Sequence, residues 1–431
     1  MRTERTARNY WIAVVGVLAA EAALLVWNVM HYDWLRGYDA YANDQYAATL
    51  ADEHRLPSAD DSGVWHTPPL WFALVGLLRR AVIEHGWGPP QRPGQLVAAA
   101  AGLAVCILVL LLARELWPQR RPLHLLALVF AAASPALVRA SAMYHPETLA
   151  VALAAGGVLI AVHALHTRWT IWSSLGAGVL LGLAGLTRAW ALPVLGAVAV
   201  AACLDAVNRR RWMPLAVLVA TSLALIAPWL LNEQLAHGSA LAFNRPAPTE
   251  SILARRSASF YLGPRALRAV EHPVTPLFRN ELVPHLYADW WGDWALTWDG
   301  PPPPGPGQLL PPSVVSVRAR QTFIGLIPSL LALGGIVALG LLAIARRSTA
   351  IGLLPLAALA VAAAFTLFAV SYPSTDGDTI KGTYLLMALP TASVAFGFVV
   401  DALRPRGGGG AVLASAAVAL FVAVQLPFLI L

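Results

Sequence analysis

Apolar residues in this chain run on for about twenty positions at a time, and short polar turns separate the runs. A helix rising about 1.5 Å per residue needs a run of that length to cross a hydrocarbon core of about 30 Å. The pattern predicts spans at 10–30, 95–113, 123–142, 147–165, 171–187, 189–207, 213–232, 322–345, 350–371, 383–402 and 411–431. Residues 68–85 read differently: Arg79 and Arg80 sit in mid-run, and counting the segment as a span would put the arginine-rich turn at 114–121 on the wrong side. An amphipathic helix lying on the outer surface removes that conflict.

The fold class expected is therefore an all-α polytopic membrane protein. It has about eleven transmembrane helices, interfacial helices on the outer face and one large outer loop. Three modules follow: residues 1–232 with an acidic first outer loop at 31–94, an aromatic and Pro-rich outer loop at 233–321, and C-terminal helices at 322–431. Arg2, Arg5 and Arg8 precede the first span, and further arginines fill the turns at 114–121, 209–211, 346–347 and 404–406. Positively charged turns face the cytoplasm, so the N-terminus is expected inside and the remaining polar chemistry outside, at the cell membrane.

Composition agrees. Hydrophobic residues make up 58% of the 431 and charged residues 12%, about half the charged share of an average globular domain. The net charge of +7 belongs to membrane topology, because the arginines sit in turns and form no phosphate-tracking stripe; no nucleic-acid partner is expected. Cys106 and Cys203 both lie in apolar runs, which leaves no disulfide framework. Of the 30 basic residues a single one is lysine, Lys381.

The first outer loop carries Asp33, Asp39, Asp44, Asp52, Glu53, Asp60 and Asp61 against Arg36 and Arg55. Asp39 suits the N-cap of a helix beginning there; a carboxylate just beyond a span end also suits a general base at a lipid head group. In SAMYHPETL, Pro146 and Glu147 suit the first turn of the next helix, while His145 and Glu147 together leave a divalent cation open. Arg188 and Lys381 read either as interfacial cations or as phosphate ligands. HLYADWWGDWALTWDG places Trp290, Trp291, Trp294 and Trp298 among Asp289, Asp293 and Asp299. That mixture serves membrane-edge anchoring or the holding of sugar rings.

Several of these pieces, in order, resemble the GT-C class of integral-membrane glycosyltransferases, in particular the bacterial relatives of dolichyl-phosphate-mannose protein mannosyltransferases. They are YDAYANDQY after the first span, then RLP and HTPPLWF, MYHPE, GLAGLTR, LYADWWGDW and IKGTYLLMALP. PPLWF stands where the family more often has PPLYY, and no clear Asp-x-Asp pair follows the first span. The resemblance implies transfer of a hexosyl or pentosyl group from a polyprenyl-phosphate carrier to a glycan, lipid or protein acceptor, with inversion at the anomeric carbon. It makes Asp39, and secondarily Asp44, the catalytic acids, and Arg188 and Lys381 the donor-phosphate ligands. His66, Trp290, Trp291 and Asp293 become sugar or acceptor contacts, and His145 with Glu147 a metal pair.

A lipid or solute transporter without transferase activity is the competing class. Transporters place ionisable groups near the bilayer centre and show repeat symmetry. Here Glu21 alone lies well inside a span and no repeat is evident.

Overall fold

A computed structural model describes residues 2–241, 256–275, 281–298, 310–372 and 380–403, with Ser251, Ala254 and Val422 as isolated positions besides. All its regular structure is helical. The chain opens with α1 (Arg2–His31), α2 (Ala40–Glu53), α3 (Leu70–His85), α4 (Arg92–Leu116), α5 (Arg121–Ala132), α6 (Pro135–Ala142), α7 (Glu147–His166), α8 (Ile171–Thr187), α9 (Leu192–Arg209) and α10 (Met213–His237). Short helices α11 (Ala258–Leu262) and α12 (Arg268–Glu271) lead to α13 (Leu282–Gly292), then α14 (Pro312–Arg346), α15 (Thr349–Ser371) and α16 (Leu389–Leu403).

Among the described residues, eight helices are long and apolar enough to cross a membrane. The protein is a polytopic membrane protein. The segment expected as one span at 123–142 is instead two helices, α5 and α6, bent by 53°. Pro135 at the start of α6 supplies no N–H to the turn before it, which breaks the ladder there. At 17 residues α8 is shorter than a full crossing. The expected span at 411–431 lies outside the described residues, apart from Val422, and so does the Pro-rich run at 301–307. Residues 70–85 are helical as expected; Trp71, Phe72 and Val75 of α3 pack with Tyr46 and Ala47 of α2.

Packing between spans uses small residues, since apolar burial gives helices no preference for one another over lipid. Gly178, Gly182 and Gly185 line the face of α8 that meets α10: a Cβ on Gly178 would stand 2.9 Å from the Leu218 carbonyl oxygen. Ser222 Oγ donates to the Gly178 carbonyl across the same seam at 3.1 Å. On the other surface, Ile327, Leu330, Leu333, Val337, Leu341 and Ile344 of α14 are all exposed, at the i+3/i+4 spacing of a lipid-facing stripe.

The helices share a polarity. α4, α9 and α14 end in the arginine-bearing turns at 114–121, 209–211 and 346–347. The opposite ends of α1, α6, α7, α8 and α15 gather the remaining polar groups, and α2 and α3 lie over that end.

Candidate active site

Asp39 follows a 3-10 turn (Trp34–Arg36) that Asp33 caps. It occupies the N-cap of α2, yet its carboxylate makes no capping hydrogen bond. Its backbone is left-handed (φ 53°), a region that asparagine and aspartate enter more readily than other residues carrying a Cβ. The side chain meets Lys381 instead: Nζ donates to Oδ2 at 2.5 Å. Lys381 precedes a second 3-10 turn, Gly382–Ala388. Its ammonium also lies 4.9 Å from the Tyr38 ring centroid and 5.9 Å from that of Tyr384, close enough for cation–π attraction.

Arg188 caps the end of α8. It pairs with the buried Glu147 at the first position of α7, Nε at 2.7 Å and Nη2 at 2.6 Å from Oε1. Its guanidinium stands 5.9 Å from the Tyr384 ring, and Trp190 stacks on the other part of that tyrosine, with centroids 4.9 Å apart. Asn43 ties these elements together by donating from Nδ2 to the Tyr144 carbonyl at 3.0 Å.

Electrostatics fix the charge states. Burial pushes the Asp39 carboxyl up, but the adjacent Lys381 outweighs it, helped by His145 and Arg188, and holds it at about 2. Burial works to lower the Lys381 ammonium, and Asp39 and Tyr384 outweigh that, so it stays raised. Burial, with Arg188 and Lys381 nearby, brings His66 down to about 4 and His145 well below its ordinary value. At neutral pH the site therefore holds an ionised acid, a protonated lysine and two neutral imidazoles.

Asp39, His66, Thr67, Arg188, Lys381 and Tyr384 line a cavity of about 780 Å³. Trp190, Leu192, Pro193, Trp229, Leu367 and Phe368 add an apolar share to the same lining, with Trp190 against Tyr384. The volume falls within the usual range for small-molecule sites, about 300–1,000 Å³. A lining that joins two cations to apolar side chains suits an amphiphile that carries an anionic head.

The other sequence candidates lie elsewhere. Asp44 accepts from Arg79 Nε at 3.2 Å and Gln91 Nε2 at 3.1 Å, and it does not line the cavity. Trp290 and Trp291 are on α13, away from the cavity wall; Trp291 Nε1 donates to Ser329 Oγ at 2.8 Å. Asp293 is buried and accepts from the backbone N–H of Thr297 and Trp298, both at 2.9 Å. Trp291 and Asp293 thus anchor this segment to α14 and to itself. His145 Nδ1 and Glu147 Oε2 have no protein partner, so two donors with free lone pairs exist. Among the described residues no third His, Cys, Asp or Glu completes a metal cluster. Asp39 Oδ2 and Glu147 Oε1 each already face a cation.

Sequence reasoning passed over Tyr38, Trp190 and Tyr384, and named Asp289 only among the acids of the tryptophan-rich segment. Two of them were signalled by spacing: Tyr384 follows Lys381 by three residues, one 3-10 turn, and Trp190 follows Arg188 by two.

No family model matches the sequence, and no curated protein matches it. Solved structures do match in fold. ArnT from Cupriavidus metallidurans, bound to undecaprenyl phosphate, superposes with a TM-score of 0.55 at 15% identity, over 94% of this chain and 63% of that one. The same protein in the apo state gives 0.55 at 15%, over 96% and 64%. The Archaeoglobus fulgidus oligosaccharyltransferase, in complex with Zn and sulfate, gives 0.54 at 15%, over 95% and 52%. The chain thus spans less than two thirds of the length of these neighbours. Its fold is the one these two membrane proteins share.

Proposed function

We propose that this protein is an inverting glycosyltransferase that moves a sugar from a polyprenyl-phosphate carrier to an acceptor at the outer face of the cell membrane. One observation carries the reading: an aspartate and a lysine 2.5 Å apart in a cavity that Arg188 and several apolar side chains also line. The neighbour crystallised with undecaprenyl phosphate supports the donor class.

An acceptor hydroxyl is a weak nucleophile at neutral pH and needs a carboxylate within hydrogen-bond reach to take its proton. Asp39 is ionised and opens onto the cavity. While Lys381 holds it at about 2 it is a poor base, but a donor phosphate competes for the ammonium. That competition releases Asp39 and raises its basicity in the same event that seats the donor. The acceptor oxygen then bonds to the anomeric carbon as its proton passes to Asp39. The bond from that carbon to the phosphate oxygen breaks on the opposite face, and the leaving polyprenyl phosphate keeps the electron pair. Lys381 and Arg188 meet the charge that grows there, the kind of interaction that lowers a barrier most. The carrier's tail lies along Trp190, Leu192, Leu367 and Phe368. The acceptor is a glycan, a lipid or a protein, and no step passes through a metal.

The test is transfer of labelled sugar from a panel of polyprenyl-phosphate donors in membranes, wild type against Asp39→Asn. Loss of general-base catalysis costs about 10²- to 10⁴-fold, and that fall is expected with expression and thermal stability preserved. Undiminished transfer in the variant would remove Asp39 from the chemistry. A wild type inert toward every donor would remove the reaction.

A further inference from the structure

We infer that Asp289 is a positioning residue that holds Asp39 and Lys381 against each other by gripping the chain neighbour of each. This rests on the proposed role of that pair in transfer, but its geometry stands apart from any reaction.

Asp289 is buried on α13. Its Oδ1 accepts the Tyr38 hydroxyl at 2.6 Å. Its Oδ2 accepts the Gly382 backbone N–H at 2.5 Å. Tyr38 immediately precedes Asp39, and Gly382 immediately follows Lys381. One carboxylate therefore closes a ring of five residues in which the Asp39–Lys381 ion pair is the opposite side. The segments it joins are 342 positions apart in sequence, and nothing local sets their distance.

Arg139, also buried, fixes the clamp by donating to the Asp289 backbone carbonyl, with a guanidinium nitrogen 4.0 Å from the carboxylate. Gly382 is fitted to the grip: a Cβ there would lie 2.9 Å from the Trp290 amide nitrogen and 3.1 Å from Asp289 Oδ2. Burial pushes the Asp289 carboxyl up, while Arg139, Tyr38 and Gly382 favour its charged form. Both oxygens accept, so the ionised form is the one the ring needs.

Asp293, four residues on, serves as a contrast. It is equally buried, but its carboxylate binds the backbone of its own loop at Thr297 and Trp298. It touches neither Tyr38 nor Gly382.

Lys381 is the one lysine in the chain, so an amine-acylating reagent reports on it directly once the N-terminal amine is blocked or counted separately. Asp39, Arg188, Tyr38 and Tyr384 face it, with His66, His145 and Glu147 behind. Loosening the pair lets the ammonium lose Asp39, lowers its pKa and raises the free-amine fraction. Each pKa step of one is about tenfold in that fraction at a pH below it. In the full-length protein in detergent, Asp289→Asn keeps one acceptor and loses the other. It is expected to raise the acylation rate of Lys381 about tenfold. Tyr38→Phe, which removes one donor and leaves the ring packed, raises it less. Asp293→Asn leaves it as in wild type.

An unchanged Lys381 rate in Asp289→Asn overturns the clamp. If that variant does not accumulate, an unchanged rate in Tyr38→Phe does so instead. An equal rise in Asp293→Asn also overturns it, because generic loosening of the outer loop would then account for the effect. The readout needs no substrate. A failure to find transfer with any donor would sink the proposed reaction and leave this result standing, and the reverse holds as well.

Discussion

Lys381 controls the acid beside it, and the sign of that control is measurable. Burial alone would move the Asp39 carboxyl above its ordinary value of about 3.9; Lys381 reverses this and holds it at about 2. In Lys381→Met the largest lowering influence is gone and burial is opposed only by His145 and Arg188, so the carboxyl rises and protonates at a higher pH. The wild-type profile of kcat/KM, which reports the free enzyme, is therefore expected to stay flat on the acid side down to pH 5. The acid limb of the Lys381→Met profile moves to higher pH, on top of a general loss from the missing phosphate ligand, and an acid limb identical to wild type would show that Lys381 does not set the base. The linkage has the same origin: a carboxylate depressed by folding contributes stability above its unfolded value near 4, lost as pH falls through about 2. Part of this was visible in the letters. Asp39 was marked by its place after the first span, and Lys381 by being the sole lysine among thirty basic residues. Their pairing was not, because it joins distant segments through a left-handed residue whose side chain turns away from the cap it could have made. Asp44 was the second candidate in sequence, but five residues along a helix is about 140° around it, which aims Asp44 at Arg79 and Gln91.

Between elements, the α8–α10 seam gives a comparison in which one substitution should act in opposite directions. A Cβ on Gly178 meets the Leu218 carbonyl oxygen at 2.9 Å, a backbone atom with nowhere to go; a Cβ on Gly340 of α14 meets nothing within 4 Å. Gly178→Ala is expected to lower the thermal midpoint in detergent through overpacking of about 1–3 kcal/mol. Gly340→Ala should hold it or raise it, because alanine favours a helix interior over glycine by up to about 1 kcal/mol. Equal shifts in the two would mean that the seam is not close-packed. The helices themselves were legible, since run length alone locates a span. Less so was the break between α5 and α6, for which Pro135 was the available sign inside an otherwise continuous apolar run. The aromatic segment on α13 misled for a physical reason. Tryptophan beside aspartate suits a sugar site, an interfacial belt or a buried anchor alike, and the neighbours that decide it, Ser329 and Gly325 of α14, come from later in the chain.

For the whole molecule, the polarity of the bundle turns a local site into a statement about sidedness. Helices that meet the cavity at one end reach the arginine turns at the other: α9 runs from Leu192 at the cavity to Arg209, and α15 returns from Thr349, just past Arg347, to Ser371. Basic turns are retained in the cytoplasm, so the cavity should open to the opposite side. Single cysteines test this in a chain with Cys106 and Cys203 replaced. A cysteine at exposed His54, just past α2, is expected to react with a membrane-impermeant maleimide in intact cells. One at exposed Arg347 should react only after the membrane is opened. The reverse result would place Asp39 and Lys381 on the cytoplasmic side and require a donor displayed there. The expected result has a consequence for energetics. Under the proposed transfer, it sets the growing charge of a lipid-borne phosphate beside Arg188 and Lys381, in a cavity lined also by Trp190, Leu192, Leu367 and Phe368.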